Sequence, residues 1–255
     1  MPRLIDTVRA VAFDLDGTLV DSAPDLAAAA NLMLTMLGAR ALPESRIRAL
    51  IGAGIDQLVR RALTESLGRP PANPAHCEDA QVLFRKLYAQ HLFDRSRVYP
   101  DVPRALQALA DSGLALACAT NKEARFAYPL LAASGLESFF LFTLCADRAE
   151  DRKPSPNLLR AVCMHLRVAP SELLYVGDSH SDVLAARAAG CRAAVVSYGY
   201  HQGLALEEFR PDAIIEGLMQ LTEIELPVAP DWVQANVRRP SGTTRAGDAA
   251  PPCGD

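Results

Sequence analysis

The chain has no apolar run long enough to span a membrane, no run of basic residues, no CxxC pair and no HxxxH or HExxH spacing. Each absence excludes a class of function. A spanning helix needs about 20 predominantly apolar residues, and the opening Met1-Pro2-Arg3-Leu4-Ile5-Asp6 lacks the apolar core of a signal peptide. No membrane contact and a cytoplasmic location are therefore expected. A net charge of -4 and a pI near 5.8 provide no positive stripe to neutralise phosphates, so nucleic acid is not an expected partner. The scattered Cys77, Cys118, Cys145, Cys163, Cys191 and Cys253 read as reduced thiols rather than a disulfide or zinc framework. The five histidines have no ligand spacing, which argues against a histidine-bound metal. Internal repeats are absent.

What is present is a 255-residue chain, 50% hydrophobic, ample for a buried core. From residue 114 onward, strand-like and helix-like segments alternate. Strands are expected over 114–119, 141–145, 173–176 and 193–197, and helices over 123–134, 155–166 and 182–189. Short apolar strands between helices predict an α/β fold, a Rossmann-like parallel sheet covered by helices on both faces. Residues 8–13 supply one more strand.

Residues 23–94 read as helix throughout, with Pro24 just inside the first helix and Gly38 after it. Ile55, Leu58, Val59, Ala62 and Leu63 form one apolar stripe, and Ala80, Phe84, Leu87, Tyr88 and His91 form another. Amphipathic helices inserted after the first strand predict a helical cap or lid. The expected division is an α/β core from 1–20 and 95–225, a cap over 21–94, and a flexible tail over 226–255, where prolines cluster with Gly, Ser, Thr and Arg.

The most informative stretch is Phe13-Asp14-Leu15-Asp16-Gly17-Thr18. An apolar strand stops at two carboxylates spaced i, i+2, and Gly17 turns the backbone beyond them. At the carboxyl edge of a parallel sheet, where ligands bind, one carboxylate can attack as a nucleophile while the other handles protons. Three other segments point to the same edge. Thr120-Asn121-Lys122 ends the 114–119 strand with a hydroxyl, an amide and the N–H groups that open a helix, groups suited to phosphate oxygens. Lys153 stands before a helix initiated by Pro154 and Pro156, placed to neutralise phosphoryl charge. Gly177-Asp178 ends another strand, with Asp182 four residues on, and paired acids there fit a hard divalent cation. If Asp14, Asp16, Asp178 and Asp182 converge, each close pair repels by about 4 kcal/mol at an effective dielectric of 20. A cation or protonation must offset that, and Mg²⁺ suits oxygen ligands that leave room for phosphate.

In this order, Asp14-x-Asp16-Gly17-Thr18, Thr120, Lys153-Pro154 and Gly177-Asp178-x-x-x-Asp182 resemble the four motifs of the haloacid dehalogenase-like hydrolases. The insertion after the first motif resembles the helical-cap subclass, and the similarity runs over about residues 8–224. The chain is most similar to the bacterial branch that acts on 2-phosphoglycolate. Ile51-Gly52-Ala53-Gly54-Ile55 resembles its cap substrate loop, and Tyr198-Gly199-Tyr200 matches its C-terminal half. Two segments depart from it. Tyr99-Pro100-Asp101 stands where the family often has Tyr-Pro-Gly, and Cys145-Ala146-Asp147 where it often has Gly-Gly-Asp.

The resemblance implies a Mg²⁺-dependent phosphomonoester hydrolase. Asp14 would be the nucleophile, forming an aspartyl-phosphate, and Asp16 the general acid and base. Asp14, the backbone carbonyl of Asp16 and Asp178 would hold Mg²⁺, with Asp182 supporting from nearby. Thr120, Asn121 and Lys153 would bind phosphate, and Gly52 and Gly54 would close over the substrate. Arg48, Arg60 and Arg61 are the cap cations available for a substrate carboxylate. The expected partner is a small phosphorylated metabolite, and the expected assembly a monomer or homodimer. Gly-Ala-Gly lacks the third glycine of a dinucleotide fingerprint; His180 reads as an exposed helix-start residue, and the pattern around His201 assigns it no role. The open alternatives are a sugar-phosphate phosphatase (an N-acetylmuramate 6-phosphate hydrolase, for instance), a phosphomutase, a dehalogenase and a non-catalytic binding protein on the same scaffold.

Overall fold

The computed structural model describes residues 7–71 and 73–223. The expected tail over 226–255 lies outside the described residues. Strand β1 (Ala10–Phe13) is followed by the two-residue β2 (Val20–Asp21), and then by helices α1 (Ala23–Met36), α2 (Glu44–Arg48), α3 (Ile55–Leu67) and α4 (Pro74–Gln90). The chain returns through β3 (Arg97–Val98) and continues as α5 (Val102–Asp111), β4 (Ala115–Thr120), α6 (Ala124–Ala133), β5 (Thr143–Cys145) and α7 (Asn157–Leu166). It ends with β6 (Leu173–Gly177), α8 (His180–Ala189), β7 (Arg192–Val196) and β8 (Ala213–Ile215).

The main sheet has the order β5-β4-β1-β6-β7-β8, and every neighbouring pair is parallel. Its strands are apolar on both sides because each face is covered. Val11 and Phe13 pack towards α5 and α6, while Ala10 and Ala12 face α7 and α8. The same alternation holds in β6, where Leu174 and Val176 face one layer and Leu173 and Tyr175 the other. The expected parallel α/β sheet is therefore the observed one. Among the described residues, no helix is long and apolar enough to cross a membrane.

Register then places the chemistry. Phe13 pairs with Cys118 on one side and with Val176 on the other. Asp14, Thr120 and Asp178 consequently leave three adjacent strands within one residue of the same level, where the strand order reverses around β1.

Helices α1 to α4 bury their own apolar cluster, with Met33, Leu34, Ile47, Val59, Phe84 and Tyr88 at its centre. We call these helices the cap. The chain enters and leaves them through β2 and β3, which pair antiparallel, Val20 with Val98 and Asp21 with Arg97. Asp25 pins this junction: its buried carboxylate accepts from Arg95 N (2.9 Å), Ser96 N (2.8 Å) and Ser96 Oγ (2.5 Å). Asp25→Ala would strand these donors in a buried setting. It is expected to lower unfolding free energy by about 3 kcal/mol, read by urea denaturation followed by circular dichroism. A loss under about 0.5 kcal/mol, typical of surface changes, would show that the junction needs no such pin.

The two segments that depart from the expected pattern lie at the start of α5 and against the start of α6. Asp101 sits at φ 60° at the start of α5, a left-handed position that glycine occupies without strain. Asp147 accepts from Ala124 N at 2.9 Å and so holds the first turn of α6.

Candidate active site

Asp14 follows β1 directly, and its backbone N–H still donates to Val176 O (2.9 Å) as a continuation of the sheet. Its Oδ1 accepts from Leu15 N (2.8 Å) and its Oδ2 lies 2.9 Å from Lys153 Nζ. Asp178 follows β6, with Oδ2 accepting from Tyr200 N (2.6 Å) and Oδ1 at 3.5 Å from Thr18 Oγ1. Asp182 lies in the first turn of α8. There its Oδ2 gathers Asp178 N (3.1 Å), Ser179 N (2.9 Å) and Ser179 Oγ (2.6 Å), a capping box that fixes the strand-to-helix turn. Its Oδ1 is 2.8 Å from Lys153 Nζ. Gly17 is required here, because it has φ 84° and a Cβ would run into the Asp178 carboxylate.

One oxygen from each of Asp14, Asp178 and Asp182 falls within 4.8 Å of the others, and all three residues are buried. Burial drives the Asp14 carboxyl up to about 6, Lys153 pulls it down and Asp182 pushes it up. Burial, with Asp182 and Asp14 beside it, lifts Asp178 well above the usual carboxylate range. Lys153 is the cation that partly offsets this crowd. Burial alone would discharge it, yet Asp14 and Asp182 hold its proton on more tightly than usual. Its ammonium also donates to Tyr175 Oη (2.7 Å), which donates in turn to Ala119 O (2.6 Å). Three hard carboxylates sharing one lysine fit a divalent cation, and the donor set matches Mg²⁺ better than a softer metal. The Asp16 carboxylate is not part of this cluster.

Asp16 instead faces Lys122 Nζ at 2.9 and 3.1 Å and accepts from Ser22 Oγ at 2.5 Å. Lys122 also donates to Tyr88 Oη at 2.7 Å, a hydroxyl that comes from the cap. Burial would strip the Lys122 proton, but Asp16 and then Tyr88 override it and raise its affinity. Thr120 Oγ1 accepts from Lys122 N at 3.2 Å and helps hold the Asp14 carboxylate ionised. Asn121 works as a brace. It accepts from Lys153 N (2.7 Å) and donates to Lys153 O (3.2 Å) and Gly52 O (3.1 Å), tying three segments of distant sequence together.

Between Asp14 and the cap lies a cavity of about 40 Å³. Its floor is Asp14, Asp16, Thr120, Asn121 and Lys122, and its roof is Leu26, Ile51, Gly52, Gly54, Ile55 and Leu58. Gly54 has φ 83° and begins α3. Lys122 is the cation on this lining, and nothing local in the chain singles it out beyond its place at the opening of a helix. The arginines expected to serve a substrate carboxylate are elsewhere. Arg48 pairs with Asp21 (3.0 Å) and stacks over Tyr200, Arg60 is exposed, and Arg61 lines a different, outer cavity. The roof has no charge because α3 turns its apolar stripe inward. His180 stacks on Phe209, and His201 lies against the carbonyls of Asp178 and Ser197.

A sequence profile described as haloacid dehalogenase-like hydrolase matches residues 11–196. A protein named phosphoglycolate phosphatase from Nitrosospira multiformis is 42% identical over 217 residues, covering 85% of this chain and 95% of that protein. The protein of that name from Escherichia coli K12 is 37% identical, with 85% and 92% covered. A crystal structure from Haemophilus somnus 129Pt, described as a predicted phosphoglycolate phosphatase, superposes with a TM-score of 0.80 at 31% identity, covering 85% of this chain and 97% of that one.

Proposed function

The chain belongs to the haloacid dehalogenase-like hydrolases, and from that premise we propose that it is a Mg²⁺-dependent phosphomonoesterase acting on 2-phosphoglycolate. The relatives named phosphoglycolate phosphatase support this reading. The observation that carries it is the cavity under the cap, with two carboxylates, Asp14 and Asp16, and the ammonium of Lys122 on its floor.

Asp14 attacks phosphorus with Oδ2, the oxygen not engaged by Leu15 N, and the phosphoryl group passes to it as an aspartyl-phosphate. Lys153 and Thr120, both against Asp14, take the equatorial oxygens in place of the contacts they now make. Asp16 gives a proton to the departing alkoxide, then takes one from the water that opens the acyl phosphate. Asp14 and Asp178 would hold Mg²⁺, with Asp182 bracing the turn that carries Asp178, and the metal's contribution is to neutralise charge developing on phosphoryl oxygens.

Lys122 explains how a substrate carboxylate is read although the cap offers no cation. Lys122 Nζ rests on Asp16 at 2.9 Å, and a substrate carboxylate would give the ammonium a second anion to pair with.

Lys122→Met tests this. KM for 2-phosphoglycolate is expected to rise about a hundredfold, while KM for p-nitrophenyl phosphate, which has no carboxylate, changes by less than about threefold. Equal effects on both substrates would refute Lys122 as the carboxylate reader.

A further inference from the structure

Beside this cavity, a chain of four charged side chains joins the cap to the core. Arg85 of α4 donates to Glu123 (2.6 Å to Oε1 and 3.1 Å to Oε2) and to Asp56 Oδ1 (2.6 Å). Asp56, in the first turn of α3, accepts from Arg152 Nη1 through Oδ2 at 2.9 Å. Two of these pairs, Arg85 with Glu123 and Asp56 with Arg152, cross between cap and core. The alternation of sign along Glu123, Arg85, Asp56 and Arg152 leaves each charge facing its opposite. Glu123 and then Asp56 hold the Arg85 proton more tightly than usual. Burial would raise the Asp56 carboxyl, but Arg85 and Arg152 bring it below its ordinary range.

The place of this chain matters more than its strength. Asp56 stands two residues after Gly54, and the Arg152 guanidinium packs on that glycine, 3.5 Å from where a Cβ would stand. On the core side, Glu123 follows Lys122 and Arg152 precedes Lys153, the two lysines that pair with Asp16 and Asp14. We propose that Glu123, Arg85, Asp56 and Arg152 form a clasp that seats the Gly52–Gly54 loop over Asp14, so that Arg85 and Arg152 are positioning residues for the hydrolysis. The inference rests on the phosphomonoesterase reading above for its kinetic consequence, but not for the contact itself.

The other ties of that loop, Asn121 to Gly52 O and Gln202 Nε2 to Ile51 O (2.9 Å), are neutral. The clasp, unlike these, is open to screening by salt, with Arg85 at 20%, Asp56 at 29% and Arg152 at 18% exposure. Bidentate and networked pairs of this kind exceed isolated surface pairs in strength.

Asp56→Asn keeps the shape and removes the shared anion. At about 0.01 M ionic strength, KM for 2-phosphoglycolate is expected to rise about tenfold with kcat within about twofold. Wild-type KM should climb towards the variant's as salt approaches about 1 M, whereas the variant's should stay flat. Arg152→Gln should behave like Asp56→Asn, and Arg152→Lys should recover most of the wild-type KM. Amide hydrogen exchange without ligand provides a readout independent of activity. Residues 51–55 should exchange about tenfold faster in Asp56→Asn, and faster in wild type at high salt, with β1 and β6 unchanged. Wild-type exchange across 51–55 at every salt concentration and in both charge-neutralising variants would overturn the clasp. Should exchange accelerate while no protein releases phosphate, the clasp stands and the hydrolase reading falls.

Discussion

Asp14→Asn is expected to lower kcat by about 10³-fold or more while leaving the fold intact. The amide is the same size, its oxygen can still accept from Leu15 N (now at 2.8 Å), and the strand that carries it is unaffected. What is lost is the attacking electron pair: an amide cannot form an acyl phosphate at a useful rate, so the first bond to phosphorus is never made. The substitution also changes the local charge: it removes the repulsion of Asp14 by Asp178 and Asp182, whose oxygens lie within 4.8 Å, together with the attraction of Asp14 to Lys153 Nζ at 2.9 Å. Because one of the carboxylates that would hold the cation is gone, the rise in melting temperature on adding Mg²⁺ should be smaller in the variant than in wild type. Thermal melting with and without Mg²⁺, beside steady-state phosphate release, separates the two effects. A variant that keeps more than about a tenth of wild-type turnover would refute Asp14 as the nucleophile.

Asp16→Asn is expected to lower kcat by about 10²–10⁴-fold, and to do so in a way that identifies its role. Asp16 serves both halves of the reaction, as acid for the leaving alkoxide and as base for the incoming water. A substrate whose leaving group needs no proton, p-nitrophenyl phosphate, bypasses the first requirement and not the second. With that substrate the variant should release about one equivalent of p-nitrophenol and then stall, leaving one phosphoryl group on the protein in an intact-mass measurement. Asp14→Asn should show neither the burst nor the added mass. Because Lys122 and Ser22 hold Asp16 through its side chain, the isosteric amide preserves one acceptor and the local packing. Equal slowing of the burst and of the steady state would place Asp16 in the first half alone.

The parallel sheet and three of its strand ends, at Asp14, Thr120 and Asp178, are legible because each depends on a local pattern: an apolar run, then a carboxylate or a hydroxyl at the point where the run ends. Residues 173–176 were expected as strand and β6 covers Leu173–Gly177; residues 182–189 were expected as helix and α8 begins two residues earlier, at His180. Pieces without periodicity were missed. Strands β2 and β3 have two residues each, too few for alternation to register, and β8 has three. Lys122 went unremarked because a lone lysine at a helix start has no sequence signature; its meaning comes from Asp16, 106 residues away in the chain. Asn121 was read as a phosphate ligand from its neighbours, and its observed bonds to Lys153 and Gly52 rest on the β1–β4 register and the cap's position, which no local pattern encodes. The same holds for Arg48. It was a reasonable cation for the substrate, but the cap's packing turns it to Asp21.

The proposed reaction is metal-assisted transfer of a phosphoryl group from a small carboxylated ester. Phosphate release from 2-phosphoglycolate, N-acetylmuramate 6-phosphate, hexose phosphates and p-nitrophenyl phosphate, each with Mg²⁺ and with EDTA, tests it most directly. We predict a kcat/KM for 2-phosphoglycolate about a hundredfold or more above every other substrate, abolished by EDTA and restored by Mg²⁺. A profile led by a sugar phosphate, or turnover that EDTA leaves unchanged, would contradict it.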